Sequence, residues 1–556
     1  MDETLEKLRN INQLRRALTH LVTPASIVAA VAILFGTWYF MYLFDTFVTS
    51  NLKALPGSAL ELAIPYYNVF KQITGKMRER IISAHEKKGS IVRNVPPDKI
   101  SIADLDTLQH LLKLTDIPKH KATYSRIQPI EGRPAIAQSL DPEDHRRLRR
   151  VIAPAFSIKY LMGLEPLLLQ VCRSLERKIL SMPRDSDGYI TLDLFKAMHH
   201  VAADMIGITT FGGTFCLVEN GQHPLPTSVA QIIKATAIRI AIPPFARDVY
   251  NKLVYDQIND FQYNFIKDSI HKRQAANANA NDGVYTDILQ WIVDHGDKGV
   301  FDEVDMVNMA RTMLTAGGET SANTMAWATS LLVSNPSTLE RLRTELDDAF
   351  PGSPNQALPL ETLKRLPYLD AVLHETLRLK PIVSKVYREF EKDTELSVRD
   401  DDGNPKTYTI PAGTMTYIPI AAVQTSSKVW LRANDFYPER WLNDTNTVTE
   451  EEVSQFGIDG NAHTKSSSGI NKSKGGHWGK PVLCNKQAFM PFSLGARDCV
   501  GRNFAWNEMR IILGHIIRRF DILPAYDTSV EVPGVDFIAY QISRPDGLPI
   551  KLKPRV

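Results

Sequence analysis

The chain has 556 residues, of which 44% are hydrophobic, so it can bury a large core. Its formal net charge at pH 7 is only +3, which gives no argument for a nucleic-acid partner or an acidic substrate. The four cysteines form neither a CxxC pair nor a series of short spacings: Cys172, Cys216, Cys484 and Cys499. This argues against a zinc site and a disulfide scaffold, and it fits a reducing compartment.

An uncharged apolar segment covers residues 21–44. As a helix it would be about 36 Å long, which is enough to cross a bilayer. Trp38, Tyr39 and Tyr42 lie toward one end, where interfacial aromatic residues are common. A cleaved signal peptide is the alternative, but its apolar core would have only about 7 to 15 residues. We therefore predict an N-terminal flank over 1–20, a transmembrane anchor over 21–44 and a hinge over 45–60.

The charges around this segment favour one orientation. Lys7, Arg9, Arg15 and Arg16 precede it, whereas Lys53 is the only basic residue in the twenty that follow. The positive-inside rule alone would place the N-terminus in the cytoplasm.

Three further stretches are distinguished by composition. Residues 89–102 alternate and turn like a short β-hairpin. Residues 275–282 are rich in Ala and Asn and are predicted to form a loop. Residues 443–480 are rich in Ser, Gly, Asn, Lys and Thr, which predicts a flexible surface insertion.

A basic stretch runs from Asp144 to Arg150 and is followed by the sequence Ala-Pro-Ala-Phe at 153–156. His145 and Arg149 are four residues apart, so they share one helical face, and both can donate to a carboxylate. The alternative, a solvated basic face, is expected for Arg146, Arg147 and Arg150.

A long helix is predicted from Asp302 to Asn335, where Pro336 ends it. Its centre reads Ala-Gly-Gly-Glu-Thr over 316–320. Two glycines cost about 1 kcal/mol each relative to alanine, so local stability does not explain them. They would let a bound group approach the backbone. The alternative is a notch for helix packing beside an incidental glutamate, Glu319.

A second helix is predicted over 367–378, with Glu375 and Arg378 on one face. Such pairs are commonly solvated. Downstream, the sequence Phe-Tyr-Pro-Glu-Arg-Trp at 436–441 places Arg440 among aromatic residues.

The last motif is the run Phe492 to Gly501, which presents Cys499 in a glycine-punctuated loop before an amphipathic helix starting at Arg502. The helix N-terminus would favour the thiolate, which is the form that binds a haem iron. Gly495 permits a tight turn, Gly501 removes a side chain beside a flat macrocycle, and Arg497 could pair with a propionate. A buried structural cysteine is the alternative.

The spacing of Phe492, Gly495, Arg497, Cys499 and Gly501 resembles the haem-binding loop of the cytochromes P450. The motifs at 144–156, 316–320, 375–378 and 436–441 are similar to others of that family, in the same order. The resemblance implies a mainly α fold with small β-sheets and a single haem domain over 61–556, rather than several domains. It also implies haem b with Cys499 as the axial ligand.

The resemblance further implies roles for individual residues. Proton delivery would fall to Glu319 and Thr320. The cofactor would be bound by Cys499, Arg497, Phe492, Gly495, Gly501, His145, Arg149 and Arg388. Glu375, Arg378 and Arg440 would form a structural charge network.

The implied function is that of a monooxygenase, which inserts one atom of dioxygen into a lipophilic molecule. NADPH would supply the electrons through a reductase that holds the flavins, and cytochrome b5 is a further candidate partner. The resemblance implies an endoplasmic-reticulum enzyme with a single membrane span and a cytosolic catalytic domain, against the charge rule.

Two alternatives remain open. A reductase-independent isomerase or dehydratase of the same family would tend to lack the acid-threonine pair, and a haem sensor would have no use for it. The substrate pocket is predicted to draw on residues 124–138, 235–247, Met313, Ala316 and 381–385. Their apolar character favours a terpenoid, fatty acid, sterol or polyketide.

Overall fold

The computed structural model describes residues 24–94, 98–127, 133–242, 244–278, 287–442, 477–536 and 539–555. Its helices are α1 (Pro24–Phe44), α2 (Ala59–Leu62), α3 (Tyr67–Ile73), α4 (Met77–Lys88), α5 (Leu105–Gln109), α6 (Lys121–Arg126), α7 (Pro142–Ile152), α8 (Ile158–Gly163), α9 (Glu165–Leu180), α10 (Leu194–Phe211), α11 (Leu217–Asn220), α12 (Pro224–Ala241), α13 (Pro244–Tyr250), α14 (Asp256–Ala278), α15 (Ile288–Asp297), α16 (Glu303–Val333), α17 (Pro336–Ala349), α18 (Leu360–Leu363), α19 (Pro367–Leu379), α20 (Ile420–Thr425) and α21 (Arg502–Arg519).

The strands are short and form four small sheets. They are β1 (Ile91–Asn94), β2 (Lys99–Ile102), β3 (Ile190–Asp193), β4 (Val386–Glu389), β5 (Thr394–Arg399), β6 (Pro405–Ile410), β7 (Met415–Ile418), β8 (Phe520–Pro524), β9 (Gly534–Asp536), β10 (Tyr540–Ile542) and β11 (Pro549–Pro554). The sheet orders are β1-β2-β7-β4, β3-β11-β8, β5-β6 and β9-β10. Among the strands of the described residues, β2 and β7 are the one pair that runs in parallel. The predicted mainly α fold with small sheets is confirmed.

The 31-residue helix α16 runs through the largest hydrophobic cluster. Its start is fixed by Asp302, whose side chain accepts from the backbone N–H of Asp305 at 2.8 Å. Helices α9, α10 and α21 contribute the other long apolar faces of the cluster. A second cluster joins the β1-β2-β7-β4 sheet to the segment before the cysteine loop.

Two of the stretches distinguished by composition lie for half of their length or more among the described residues. The hairpin predicted over 89–102 is confirmed in its two strands, since β1 and β2 pair antiparallel with Ile91 opposite Ile102. The loop predicted over 275–282 is wrong for 275–278, because α14 continues through them; alanine is the best helix former. Residues 279–282 lie outside the described residues.

The insertion predicted over 443–480 lies outside the described residues as far as 476. Its last part is not a flexible loop. Trp478 is buried in the second hydrophobic cluster, and its Nε1 donates to Asp401 Oδ1 at 3.0 Å. Burial of a tryptophan ring outweighs the polar composition around it.

In the described part of the chain one helix, Ala25–Thr49, is long and apolar enough to cross a membrane. The Tyr39 and Tyr42 hydroxyls donate to the Ala63 and Leu62 carbonyls at 3.0 and 2.7 Å, at the end of α2. Within the predicted hinge, Leu52 and Leu55 are buried in the second cluster. This segment therefore packs on the sheet side of the protein.

Candidate active site

The cysteine loop is closed by its own backbone and packs against the turn that follows α5. The Cys499 N–H donates to the Phe492 carbonyl at 3.0 Å, which closes the loop. Gly495 has φ +78°, and a Cβ there would collide with the Leu112 backbone. Gly501 caps α21, and a Cβ on it would lie 3.9 Å from the Cys499 sulphur. Gly495 is therefore required by the shape of the loop, whereas a Cβ on Gly501 would make only ordinary van der Waals contacts.

Cys499 faces a cavity of about 320 Å³, the size of a small-molecule site. The walls come from the cysteine loop, α16, α10, the start of β4 and the segment before α7. Phe492 and Gly501 line the cavity beside Cys499, and Ala316, Gly317 and Thr320 line it from α16. The structure thus brings two distant sequence motifs to one cavity.

Burial raises the pKa of the Cys499 thiol. The Gly501 N–H, Arg502 and Arg149 act in the opposite direction and do not outweigh it. The helix N-terminus alone therefore does not produce the thiolate predicted from the sequence. A metal cation bound to the sulphur would do so, since metal-bound thiols lose their proton.

A cluster of basic side chains borders the same cavity: Lys119, His145, Arg388 and Arg497. Arg388 is 2% exposed, and its Nε and Nη1 have no hydrogen-bond partner. Arg497 donates to the Ser139 and Leu140 carbonyls at 2.9 and 3.2 Å. Its Nε has no hydrogen-bond partner and lies 3.6 Å from the Asp116 carboxylate. Buried donors without acceptors indicate that an anionic group belongs here. The two carboxylates of haem fit this requirement.

The electrostatics of the cluster agree with that reading. Burial, Lys119 and Arg497 lower the pKa of His145 to about 3. Burial, Arg497 and Arg388 lower the pKa of the Lys119 ammonium well below its usual value. Each positive charge disfavours the protonated form of its neighbours, and an anionic group in the cavity would remove this effect. Lys119 was missed from the sequence, where a lone lysine in a loop gives no signal.

Arg149 lines the cavity but is held by the cysteine loop. Its guanidinium donates to the Asp498 carbonyl at 2.7 Å, to the Ala496 carbonyl at 3.1 Å and to the Asp498 carboxylate. In this structure it braces the loop, so its predicted contact with the cofactor stays a prediction.

The glycines of α16 differ in what they do. A Cβ on Gly317 would collide with Ile206 of α10, so Gly317 serves helix packing, as the alternative reading had it. A Cβ on Gly318 would meet open space. Thr320 lines the cavity, whereas Glu319 does not. The side chain of Glu319 is 18% exposed and lies 3.3 Å from His199 Nε2 on α10.

Glu375, Arg378 and Arg440 meet in the interior, all with fully buried side chains. Glu375 accepts from Arg378 Nε and Nη2 at 2.9 Å and from Arg440 Nε at 3.0 Å. The two arginines also donate to backbone carbonyls, including those of Ala433 and Leu483. Burial alone would raise the pKa of Glu375, but the two arginines outweigh it and lower that pKa.

The cavity wall agrees only in part with the predicted pocket. Tyr124, Ile136, Ala137, Met313, Ala316, Ile382 and Val383 line it. The prediction for 235–247 is wrong for this cavity in the described residues. Ala235 packs instead with Ile232 and Tyr255 in a separate apolar cluster. Ile206, Thr210, Leu377 and Ile420 also line the cavity and carry no sequence signal.

The comparisons with known proteins agree with this geometry. The family model described as Cytochrome P450 matches residues 59–537. The chain is 27% identical to cytochrome P450 monooxygenase LUC2 of Fusarium sp over 485 residues, 85% of this chain and 83% of that protein. It is 27% identical to cytochrome P450 monooxygenase acrD of Aspergillus aculeatus, over 86% of this chain and 87% of that protein. Averantin hydroxylase of Dothistroma septosporum is 25% identical, over 90% of this chain and 85% of that enzyme.

Proposed function

Because the chain belongs to the cytochrome P450 family and is a haem-containing monooxygenase, we propose that it hydroxylates a lipophilic small molecule of secondary or lipid metabolism. The observation that carries the proposal is the joint position of Cys499 and Thr320 on one largely apolar cavity. When bound, the haem supplies the activation of dioxygen, favoured by a thiolate ligand.

The chain's own residues hold that group and fix its orientation. Cys499 provides the sulphur ligand, and Phe492, Gly495 and Gly501 shape the loop that presents it. Arg388, Arg497 and His145 receive the propionates, with Lys119 beside them. The unpartnered nitrogen atoms of Arg388 and Arg497 and the lowered pKa of His145 support this assignment.

Proton delivery falls to Thr320 and Glu319. The Thr320 hydroxyl lines the cavity, and Glu319, the next residue along the chain, is partly exposed and stands outside it. A proton therefore passes from solvent to the Glu319 carboxyl and then, through water, to the hydroxyl of Thr320. The same pair argues against a reductase-independent isomerase and against a haem sensor, since neither needs a proton path.

The substrate is proposed to be lipophilic because apolar side chains dominate the part of the cavity wall that lies outside the basic cluster. Ile206, Met313, Leu377, Ile382 and Val383 form that part. The name averantin hydroxylase describes a relative's activity and supports oxygenation of a secondary metabolite as a class, without identifying this chain's substrate.

The electrons are proposed to come from NADPH through a membrane-bound reductase, with the protein anchored in the endoplasmic reticulum by residues 21–44. The apolar helix Ala25–Thr49 supports an anchor. Leu60, Phe70 and Ile73 on α2 and α3 are strongly exposed apolar side chains that suit a membrane surface. The catalytic domain would face the cytosol.

The test is reconstitution of the full chain with an NADPH-cytochrome P450 reductase in vesicles. Candidate terpenoids, fatty acids, sterols and polyketides are first screened for displacement of water from the ferric haem. We expect a lipophilic ligand to give a hydroxylated product that carries one ¹⁸O atom from ¹⁸O₂. An isomerised product formed without NADPH would overturn the proposal.

A further inference from the structure

Glu319 makes its side-chain contact with a second helix. His199 of α10 places Nε2 3.3 Å from Glu319 Oε2. Asn323, one turn further along α16, donates to the Glu319 carbonyl at 2.8 Å and lies 3.5 Å from the same imidazole nitrogen. The Phe195 ring packs beside the imidazole, with 4.4 Å between the two ring centroids. His199 and Glu319 are 21% and 18% exposed, so both reach solvent.

The other imidazole nitrogen fixes the tautomer. His199 Nδ1 lies 2.8 Å from the Phe195 carbonyl oxygen. A carbonyl only accepts, so Nδ1 carries a hydrogen in every protonation state. The proton that comes and goes is therefore on Nε2, the nitrogen that faces Glu319. Without it, a lone pair would face a carboxylate, which is unfavourable.

We propose that His199 is a positioning residue for Glu319, holding its carboxylate on the α10 side of α16 and reloading it with a proton after each delivery. In the reloading step the Nε2–H bond of the imidazolium breaks and an O–H bond forms on Glu319 Oε2. The neutral imidazole then regains a proton from solvent. The inference rests on the proposed role of Glu319 in proton delivery.

The charges around His199 favour its protonated form, from which Glu319 would receive the proton. Burial alone would lower the pKa of His199, but Glu319 outweighs it and raises the pKa above the usual 6.5. Asp193 at the start of α10 acts in the same direction, and His200, the next residue along the chain, is a further titratable neighbour. The imidazolium is present below that raised pKa and is lost as the pH rises through it.

The first test is a titration of His199 in the haem-loaded full chain, by mass spectrometry of C2-hydrogen exchange between pH 5 and 9. We expect a pKa above that of His200 in the parent protein and a clear fall in Glu319→Gln. An unchanged pKa of His199 in Glu319→Gln would overturn the proposal, because the two groups would then share no proton.

The second test follows electrons and needs no known substrate. With reductase and NADPH, the share of electrons that does not end in hydrogen peroxide should fall roughly tenfold in His199→Gln, less than the 10²- to 10⁴-fold typical of a direct acid-base group. In the parent protein we expect this share of electrons to decline as the pH rises. The decline should disappear in His199→Gln. His199→Lys should recover part of the lost share, and His200→Gln, on the same helix without contact to Glu319, should match the parent protein.

The outcomes separate this inference from the proposed function. If Glu319→Gln and Thr320→Ala both release more peroxide while His199→Gln behaves like the parent protein, His199 has no such role and the proton path stands. If none of the three changes the electron partition, the proton path itself is wrong. If His199→Gln fails to bind haem, the titration of His199 and the electron partition of His199→Lys still test the role of His199.

Discussion

The hydroxyl of Thr320 donates a hydrogen bond to the Ala316 carbonyl, with 2.7 Å between the two oxygens. This bond uses the only hydrogen of the hydroxyl, so Oγ1 presents its lone pairs to the cavity that it lines. In this rotamer Thr320 accepts a hydrogen bond from water or from a protonated group. To donate, it must release Ala316, which makes the helix at this point part of the proton path.

Thr320→Ala should retain haem and continue to oxidise NADPH, because the substitution removes no cofactor contact. Proton delivery should fall by up to about 10²-fold, the lower end of the range for an acid-base group, since water can partly replace the hydroxyl. The readout is hydrogen peroxide formed per NADPH oxidised, which should rise. Thr320→Ser is the control and should stay near the parent protein. Equal peroxide yields in Thr320→Ala and the parent would show that Thr320 only packs the helix.

Glu375→Gln should prevent accumulation of the haem-loaded protein. The change leaves the Arg378 and Arg440 guanidinium groups buried without a counter-charge, and breaking a buried pair in this way costs about 3–5 kcal/mol. Haem content per polypeptide after expression measures the effect. Arg365→Ala is the control because its pair with Glu361 is exposed, and it should change nothing. Normal haem content in Glu375→Gln would contradict the structural role of the network.

Glu508→Gln should stabilise the protein, and more so at higher pH. Burial raises the pKa of the Glu508 carboxyl to about 8, and the Ser321 hydroxyl opposes this shift without outweighing it. Between pH 4.5 and 8 the folded state therefore holds a proton that the unfolded state lacks, so the unfolding free energy falls as the pH rises, by up to about 1.4 kcal/mol per pH unit.

Denaturant unfolding at pH 5.5 and 7.5 tests whether the unfolding free energy of the parent protein falls as the pH rises. The stability gain of Glu508→Gln over the parent protein should grow by about 2 kcal/mol between the two pH values. Glu340→Gln, at an exposed carboxylate, should show no such growth. A gain that is equal at both pH values would mean that Glu508 is ionised in the folded protein.

The motifs that could be foreseen are those in which spacing alone encodes geometry. Gly495, Cys499 and Gly501 lie within one loop, and Glu375 and Arg378 lie one helical turn apart, so local structure brings them together. Asp302 and Pro336 bound α16 through capping and through the missing proline N–H.

What could not be foreseen depends on contacts between distant elements. Lys119 joins the basic cluster only because the fold brings its loop to the cavity. His199 contacts Glu319 only because α10 packs against α16. The direction of the Cys499 pKa depends on burial, which no local pattern gives. Trp478 shows the same limit, since its buried ring outweighs the polar stretch before it.

Removal of residues 1–49 should release part of the protein from membranes and leave haem binding intact, because Leu52 and Leu55, which pack on the catalytic domain, are retained. Exposed Leu60, Phe70 and Ile73 should hold the remainder at the bilayer. Serine at these three positions in the truncated chain should release it, as measured by sedimentation after alkaline carbonate. Complete release by truncation alone would show that these side chains do not touch lipid.

The orientation of the anchor is tested by protease added to intact microsomes. A cytosolic catalytic domain should be digested, and its protection would instead support the arrangement that Lys7, Arg9, Arg15 and Arg16 favour by charge alone.

The most direct test of the account is the absorption spectrum of the reduced, carbon-monoxide-bound protein. The parent protein and Cys484→Ala should both show the red-shifted Soret band of thiolate ligation, because Cys499 lines the cavity and Cys484 does not. Cys499→Ala should lose that band. Persistence of the band in Cys499→Ala, together with its loss in Cys484→Ala, would contradict the ligand assignment and the site built around it.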